Sequence, residues 1–239
     1  MASGMSEAGP EAGSKPVRIC LVGATGLIGW QVIEQAVGRR NVHIVAVARR
    51  EARLPRGARM ELVVAETDDW AAAIAGSRAQ VLVCALGTTW RKAGKDETAF
   101  RAVDYDLVLE CARAAKAAGI GHMIVVSSVG AASTSSTFYL RVKGEMEAAL
   151  IKLGLRRLDI LRPGLLRGER CNDRRMGERL ATFVSPLLDL LLHGKYRQYR
   201  SIKASQVALA IFALAREKSA GRFVHDNDAM HYALRRRRG

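Results

Sequence analysis

Val17-Arg18-Ile19-Cys20-Leu21-Val22-Gly23-Ala24-Thr25-Gly26-Leu27-Ile28-Gly29 decides the fold. The first six residues form an apolar run bounded by glycine, which reads as a buried strand. The last three open a stretch with helical spacing of apolar residues that runs to Val37 and stops near Gly38. Between them, each glycine has a physical purpose. Gly23 permits a tight turn off the strand, Gly26 lets the backbone approach a pyrophosphate, and Gly29 lets the helix pack close to the strand. The helix start then offers free N–H groups and a positive dipole end to phosphates. Thr25, Leu27 and Ile28 complete the expected nucleotide cradle with the three glycines.

Outward from this loop, strand and helix alternate. Apolar runs at Val42 to Ala48, Met60 to Val64, Gln80 to Ala85, His122 to Val126 and Leu158 to Leu161 read as further strands. Helices are expected from Asp68 or Asp69 through Ile74, over Asp104 to Ala118, and over Phe138 to Leu153. The strand runs are continuously apolar, as strands covered on both faces require. The expected class is therefore α/β, a doubly wound parallel sheet. The pattern loosens after Gly164, and residues 164–203 are expected to form a small C-terminal substrate lobe on the main sheet, within one domain spanning 17–234. Ser205 is expected to cap a helix over Gln206 to Arg216, and Phe223-Val224 to form a last strand. Residues 1–16 read as a disordered leader and 235–239 as a solvated basic tail.

Composition narrows the function. At 49% hydrophobic and 26% charged, the chain is globular. The apolar runs fall short of the roughly 18 residues a membrane helix needs. The net charge of +15 raises nucleic-acid binding, but outside Arg235 to Arg238 the arginines are scattered, which argues against it. Cys20, Cys84, Cys111 and Cys171 form no C-x-x-C pair, and no metal spacing links the five histidines. A reducing, cytoplasmic setting is the expectation.

The second strand ends at Ala48, and Arg49-Arg50 follow where an acidic residue would favour NAD. A guanidinium pairs with a 2′-phosphate instead, so NADP is the expected cofactor, with NAD the weaker candidate. Ser127 and Ser128 end the fifth strand, and Tyr139 and Lys143 lie four apart on the next helix, on one face. A phenol near pKa ~10 is a poor proton donor-acceptor at neutral pH unless a neighbouring ammonium favours its phenolate. A serine hydroxyl can orient a substrate oxygen and stabilise charge there. Tyr199 and Lys203 repeat the spacing, but their segment reads as extended and no strand-end serine precedes it. Trp90 follows the fourth strand as a candidate pocket residue. The arginines from Arg167 to Arg179 could clamp an acidic substrate or form a solvated face.

These stretches resemble the short-chain dehydrogenase/reductase superfamily. More closely, Leu86-Gly87-Thr88-Thr89, Lys92-Ala93-Gly94, Val103-Asp104, Ser127-Ser128-Val129-Gly130-Ala131, Tyr139 to Glu145 and Leu161-Arg162-Pro163-Gly164 resemble its atypical branch, with Tat-interacting-protein-type oxidoreductases and related NAD(P)H-binding proteins. The resemblance implies a Rossmann fold, Tyr139 and Lys143 as catalytic pair, Ser128 as the serine with Ser127 the weaker candidate, and cofactor contacts at Leu86, Gly87, Thr88 and Pro163. Familiar members carry Asn-Asn-Ala-Gly where this chain has Ala85-Leu86-Gly87-Thr88, so an asparagine-dependent proton relay is not expected. The expected function is NADP-dependent reduction of a carbonyl or related small-molecule group. The alternative is a non-catalytic NADPH-sensing regulator, which leaves room for a protein partner.

Overall fold

Ile19 and Leu21 point to one side of the first strand and Cys20 and Val22 to the other, and all four are fully buried. That two-sided burial is why the opening run is continuously apolar. In a computed structural model, which describes residues 16–51, 54–57, 60–168 and 200–235, the strands are β1 (Val17–Val22), β2 (Val42–Ala48), β3 (Met60–Val64), β4 (Val81–Cys84), β5 (His122–Val126), β6 (Arg157–Leu161) and β9 (Gly221–His225). They form one seven-stranded sheet in the order β3-β2-β1-β4-β5-β6-β9, and every neighbouring pair is parallel.

Helices cover both faces. α1 (Leu27–Ala36), α6 (Ala204–Leu214) and α7 (Asn227–Arg235) pack on one side, α2 (Trp70–Gly76), α4 (Leu107–Ala117) and α5 (Phe138–Lys152) on the other. The strand order reverses between β1 and β4, so a crevice opens at their carboxyl ends, the place where such sheets bind ligands. The two shortest strands, β7 (Leu166–Arg167) and β8 (Ile202–Lys203), make a separate parallel ladder beside that edge. These are the described parts of the expected lobe. Residues 169–199, with Cys171 and Tyr199, lie outside the described residues, as do most of the leader and the end of the tail.

Three boundaries differ from the sequence expectation. The helix expected from Asp104 begins earlier, as α3 (Glu97–Arg101), because the Asp96 carboxylate accepts from the N–H groups of Thr98 and Ala99 at 2.7 and 3.1 Å. It then runs through a π turn, Ala102–Asp106, into α4, which puts Asp104 inside the helix rather than at its head. Before α2, Asp68 and Asp69 lie exposed in a single 3₁₀ turn and neither side chain caps the helix. α6 starts at Ala204, one residue ahead of the expected Ser205 cap.

Candidate active site

The glycine loop has the geometry its sequence predicts. Gly23 has φ of +86°, and a Cβ on Gly29 would stand 2.1 Å from the Gly23 carbonyl oxygen. The start of α1 is thus seated directly on the loop. The Gly23 carbonyl accepts from Gly26 N–H at 3.0 Å, and the Gly26 carbonyl from Trp30 N–H at 2.8 Å. The N–H groups in between have no partner within the helix. No acidic side chain occupies this first turn, so nothing competes with a bound anion.

A crevice of about 750 Å³ runs from this loop along the carboxyl edge of the sheet. Its lining includes Thr25, Gly26, Leu27 and Ile28 of the loop, Leu86, Gly87 and Thr88 after β4, and Ser127, Ser128, Tyr139 and Lys143. The structure therefore brings into one cavity the predicted loop, the β4 segment and the predicted catalytic trio. Lys92, Asp104 and the strip Gly164 to Gly168 complete the wall. Gly23 and Gly29 shape the loop from behind. Pro163 is buried behind the wall, where its carbonyl accepts from Val129 N–H at 3.0 Å. Arg49 and Arg50 stand exposed past the end of β2, outside the crevice lining. Trp90 is also outside the lining. Its ring meets Phe138 edge-on at 5.5 Å, and Phe100 meets both Phe138 and Tyr139. This aromatic group buttresses the Tyr139 ring, which remains 39% exposed at the mouth of the crevice.

The two serines separate. Ser127 is buried and donates its hydroxyl hydrogen to the Glu147 carboxylate, which is also paired with Arg162. Its hydroxyl is engaged in holding α5 against the sheet. Ser128 makes only a long 3.3 Å contact to the Val129 carbonyl and faces the cavity.

The Lys143 ammonium is buried and meets Oδ1 of the equally buried Asp104 at 2.8 Å. The other Asp104 oxygen accepts from Thr88 N–H at 2.8 Å. Burial alone would lower the Lys143 pKa. The Asp104 carboxylate, with Tyr139 beside it, outweighs burial and holds the pKa above its ordinary value. Nearby Cys84 is pushed up to about 12 by burial, so it stays a thiol. Asp104 is the site residue that the sequence reading missed. Its signal was available, since Phe100, Asp104 and Val108 lie four apart and a carboxylate on a buried helix stripe needs a partner.

The site fits a dinucleotide. The glycines let α1 seat closely on the loop, so that its unpaired N–H groups start at the crevice, and among the described residues three cations, Lys92, Lys143 and Arg167, line it against one carboxylate. Among the described residues no cluster of acidic, cysteine and histidine side chains could hold a metal ion, and no helix is long and apolar enough to cross a membrane.

Comparison with known proteins agrees with this geometry. The family model described as NAD(P)H-binding matches residues 23–218. The FMP52 protein of Eremothecium gossypii is 32% identical over 219 residues, covering 88% of this chain and 94% of that protein. Protein HTATIP2 of Rattus norvegicus is 38% identical, covering 68% of each. Among solved structures, a putative NAD-dependent epimerase/dehydratase from Bacillus halodurans superposes with a TM-score of 0.65 at 21% identity, covering 92% of this chain and 99% of that one. At that identity the likeness shows a shared fold. The cytoplasmic expectation is overturned, because the fungal FMP52 relatives are named mitochondrial proteins. The spacing of the cysteines, on which that expectation rests, carries no address. On the family match and the coverage of its relatives, the chain belongs to the NAD(P)H-binding family, and it shares the fold of the NAD-dependent epimerase/dehydratase structure.

Proposed function

We propose that this protein is an NADP-dependent oxidoreductase that reduces a carbonyl or related group on a small molecule. One observation carries the reading: Tyr139, Lys143 and Ser128 open into the same crevice as the glycine loop. When bound, the nicotinamide supplies a hydride to the substrate carbon. Tyr139 donates its hydroxyl proton to the substrate oxygen, giving an alcohol. Ser128 donates a hydrogen bond to that oxygen and stabilises the charge that gathers on it. Lys143 donates to the nicotinamide ribose and keeps a positive charge beside the phenol. Leu86, Gly87 and Thr88 provide the wall along which the nucleotide lies, and Arg49 pairs with the 2′-phosphate.

Support for NADP over NAD comes from Arg49, which is exposed at the strand end where an acidic residue would select the plain ribose. Lys92 and Arg167 supply positive charge at the wall, which suits a substrate bearing a carboxylate or phosphate. The test is Tyr139→Phe, assayed by NADPH oxidation over a panel of carbonyl compounds and by NADPH titration. Turnover should fall at least a hundredfold, as expected for loss of a positioned proton donor, while NADPH affinity stays within about twofold. Turnover at the wild-type rate would remove Tyr139 from the chemistry. A wild-type protein that binds NADPH and turns over nothing would favour the sensing alternative.

A further inference from the structure

Asp104 has an unusual position for a carboxylate. It is 1% exposed, lies on the buried stripe between Phe100 and Val108, and reaches the crevice through the π turn at Ala102–Asp106. It is the only acidic residue lining the crevice among the described residues. One oxygen neutralises Lys143 at 2.8 Å and the other holds the Thr88 amide. The groups facing Lys143 are Asp104 from the π turn, Tyr139 from its own helix and Cys84 from β4. Of these, Asp104 brings the permanent negative charge.

We propose that Asp104 determines which redox form of the nicotinamide nucleotide the crevice accepts, by cancelling the charge of Lys143 at the end where the ring lies. The inference rests on the dinucleotide reading above. The oxidised ring carries one positive charge and the reduced ring none, while the phosphates and riboses of the two forms are the same. The ratio of the two affinities therefore reports the field at the ring. Damage to the phosphate cradle or to α5 would weaken both forms equally and leave the ratio alone. With Asp104 present, the Lys143 end is close to neutral and admits a cationic ring. With Asp104 made neutral, an unbalanced ammonium repels that ring. At an effective dielectric near 20 and separations of roughly 7 to 10 Å, a unit charge shifts an equilibrium by roughly 15- to 55-fold.

The experiment is calorimetric titration of NADP+ and NADPH into wild type, Asp104→Asn, Lys143→Met and the double variant, at pH 6 so that Lys143 stays protonated. Asp104→Asn should lower NADP+ affinity at least tenfold more than NADPH affinity. Lys143→Met, which leaves Asp104 as the unbalanced charge, should shift the ratio in the opposite direction. The double variant should return to the wild-type ratio. An unchanged ratio in both single variants overturns the proposal. Should Asp104→Asn fail to fold, the comparison of Lys143→Met with the charge-free double variant decides it: a shift toward NADP+ supports the proposal, and equal ratios refute it. Failure of wild type to bind either nucleotide would instead remove the dinucleotide reading itself.

Discussion

Gly29→Ala tests the link between backbone packing and cofactor binding. The added Cβ would lie 2.1 Å from the Gly23 carbonyl oxygen, 2.8 Å from the Gly23 carbonyl carbon and 2.9 Å from the Ala24 Cα. All three are backbone atoms, so no side chain can rotate away. Ordinary contact begins near 3.4 Å, and α1 must therefore lift off the loop by about 1.3 Å. Overpacking of this kind costs ~1–3 kcal/mol, or roughly 2–12 °C in Tm for a chain of this size. The effect on binding should be larger. A hydrogen bond of about 2.9 Å stretched by that distance passes the limit at which it contributes. Two such bonds to a charged phosphate are worth about 1.5 kcal/mol or more each, which amounts to roughly a hundredfold in affinity. Thermal melts and NADPH fluorescence titration measure the two effects on one sample. Gly38→Ala is the control for stability loss without a clash, because Gly38 has a φ of +77° and nothing stands within 4 Å of its Cβ position. It should lose stability through backbone strain and keep its NADPH affinity. A Gly29→Ala protein that melts and binds NADPH like wild type would refute the packing argument and with it the reading of the loop.

Two further outcomes are expected. Arg49→Ala should weaken NADPH binding tenfold or more, the scale of a charge-assisted hydrogen bond to a phosphate, and leave NADH binding unchanged; equal losses would exclude a 2′-phosphate contact. Asp159 is fully buried on β6 between Arg157, His122 and His225, all at 2.7 to 2.8 Å. Burial opposes its charge, but hydrogen bonds from both histidines and Arg157 prevail and hold its carboxyl far below the usual range. A depressed carboxyl binds fewer protons folded than unfolded, so its contribution is full above the ordinary carboxylate pKa near ~4 and declines as pH falls toward the native value. Asp159→Asn should cost about 3 kcal/mol at pH 7, by stranding a buried guanidinium. The deficit should narrow in urea melts stepped from pH 5 to pH 2, and a constant deficit would refute the sign.

Much of this was legible because local chemistry and tertiary role coincide. The glycine loop announces a turn, a close approach and a helix start within seven residues, and the continuous strand runs report burial on both faces. What the sequence left open depends on contacts between distant segments. Nothing near Asp159 signals His122 or His225, which lie 37 and 66 residues away. The helix boundary at Asp104 was misplaced because an aspartate ahead of an apolar helix has the chemistry of a cap, and Asp96, eight residues earlier, has the same chemistry and the actual cap bonds. The two serines could be separated by strand parity. Ser127 continues the side of Met123 and Val125, which α5 covers, and Ser128 continues the side of Val126. The role of Arg49 depends on a ligand, so its exposure alone does not define it.

The orientation of Tyr139 follows from a row of charges along α5. Tyr139, Lys143 and Glu147 lie one turn apart on the same face, and the last two are buried ionisable groups. Lys143 is answered by Asp104 from the π turn, and Glu147 by Ser127 at the end of β5 and Arg162 beyond β6. Val142, Met146 and Leu150 supply the apolar packing of the same helix. Apolar contacts alone tolerate repacking when volume is kept. The ionic row does not. Turning α5 by one residue, about 100°, would strand a buried ammonium and a buried carboxylate at once, each a loss of several kcal/mol. Gly144 tightens the constraint further, since its missing Cβ would lie 2.2 Å from the Ala132 carbonyl carbon and so pins the loop after Ser128 to the helix. The rotation of α5 is therefore fixed by polar partners drawn from three different segments. The phenol that faces the crevice at one end of that row is aimed by ion pairs further along the same helix.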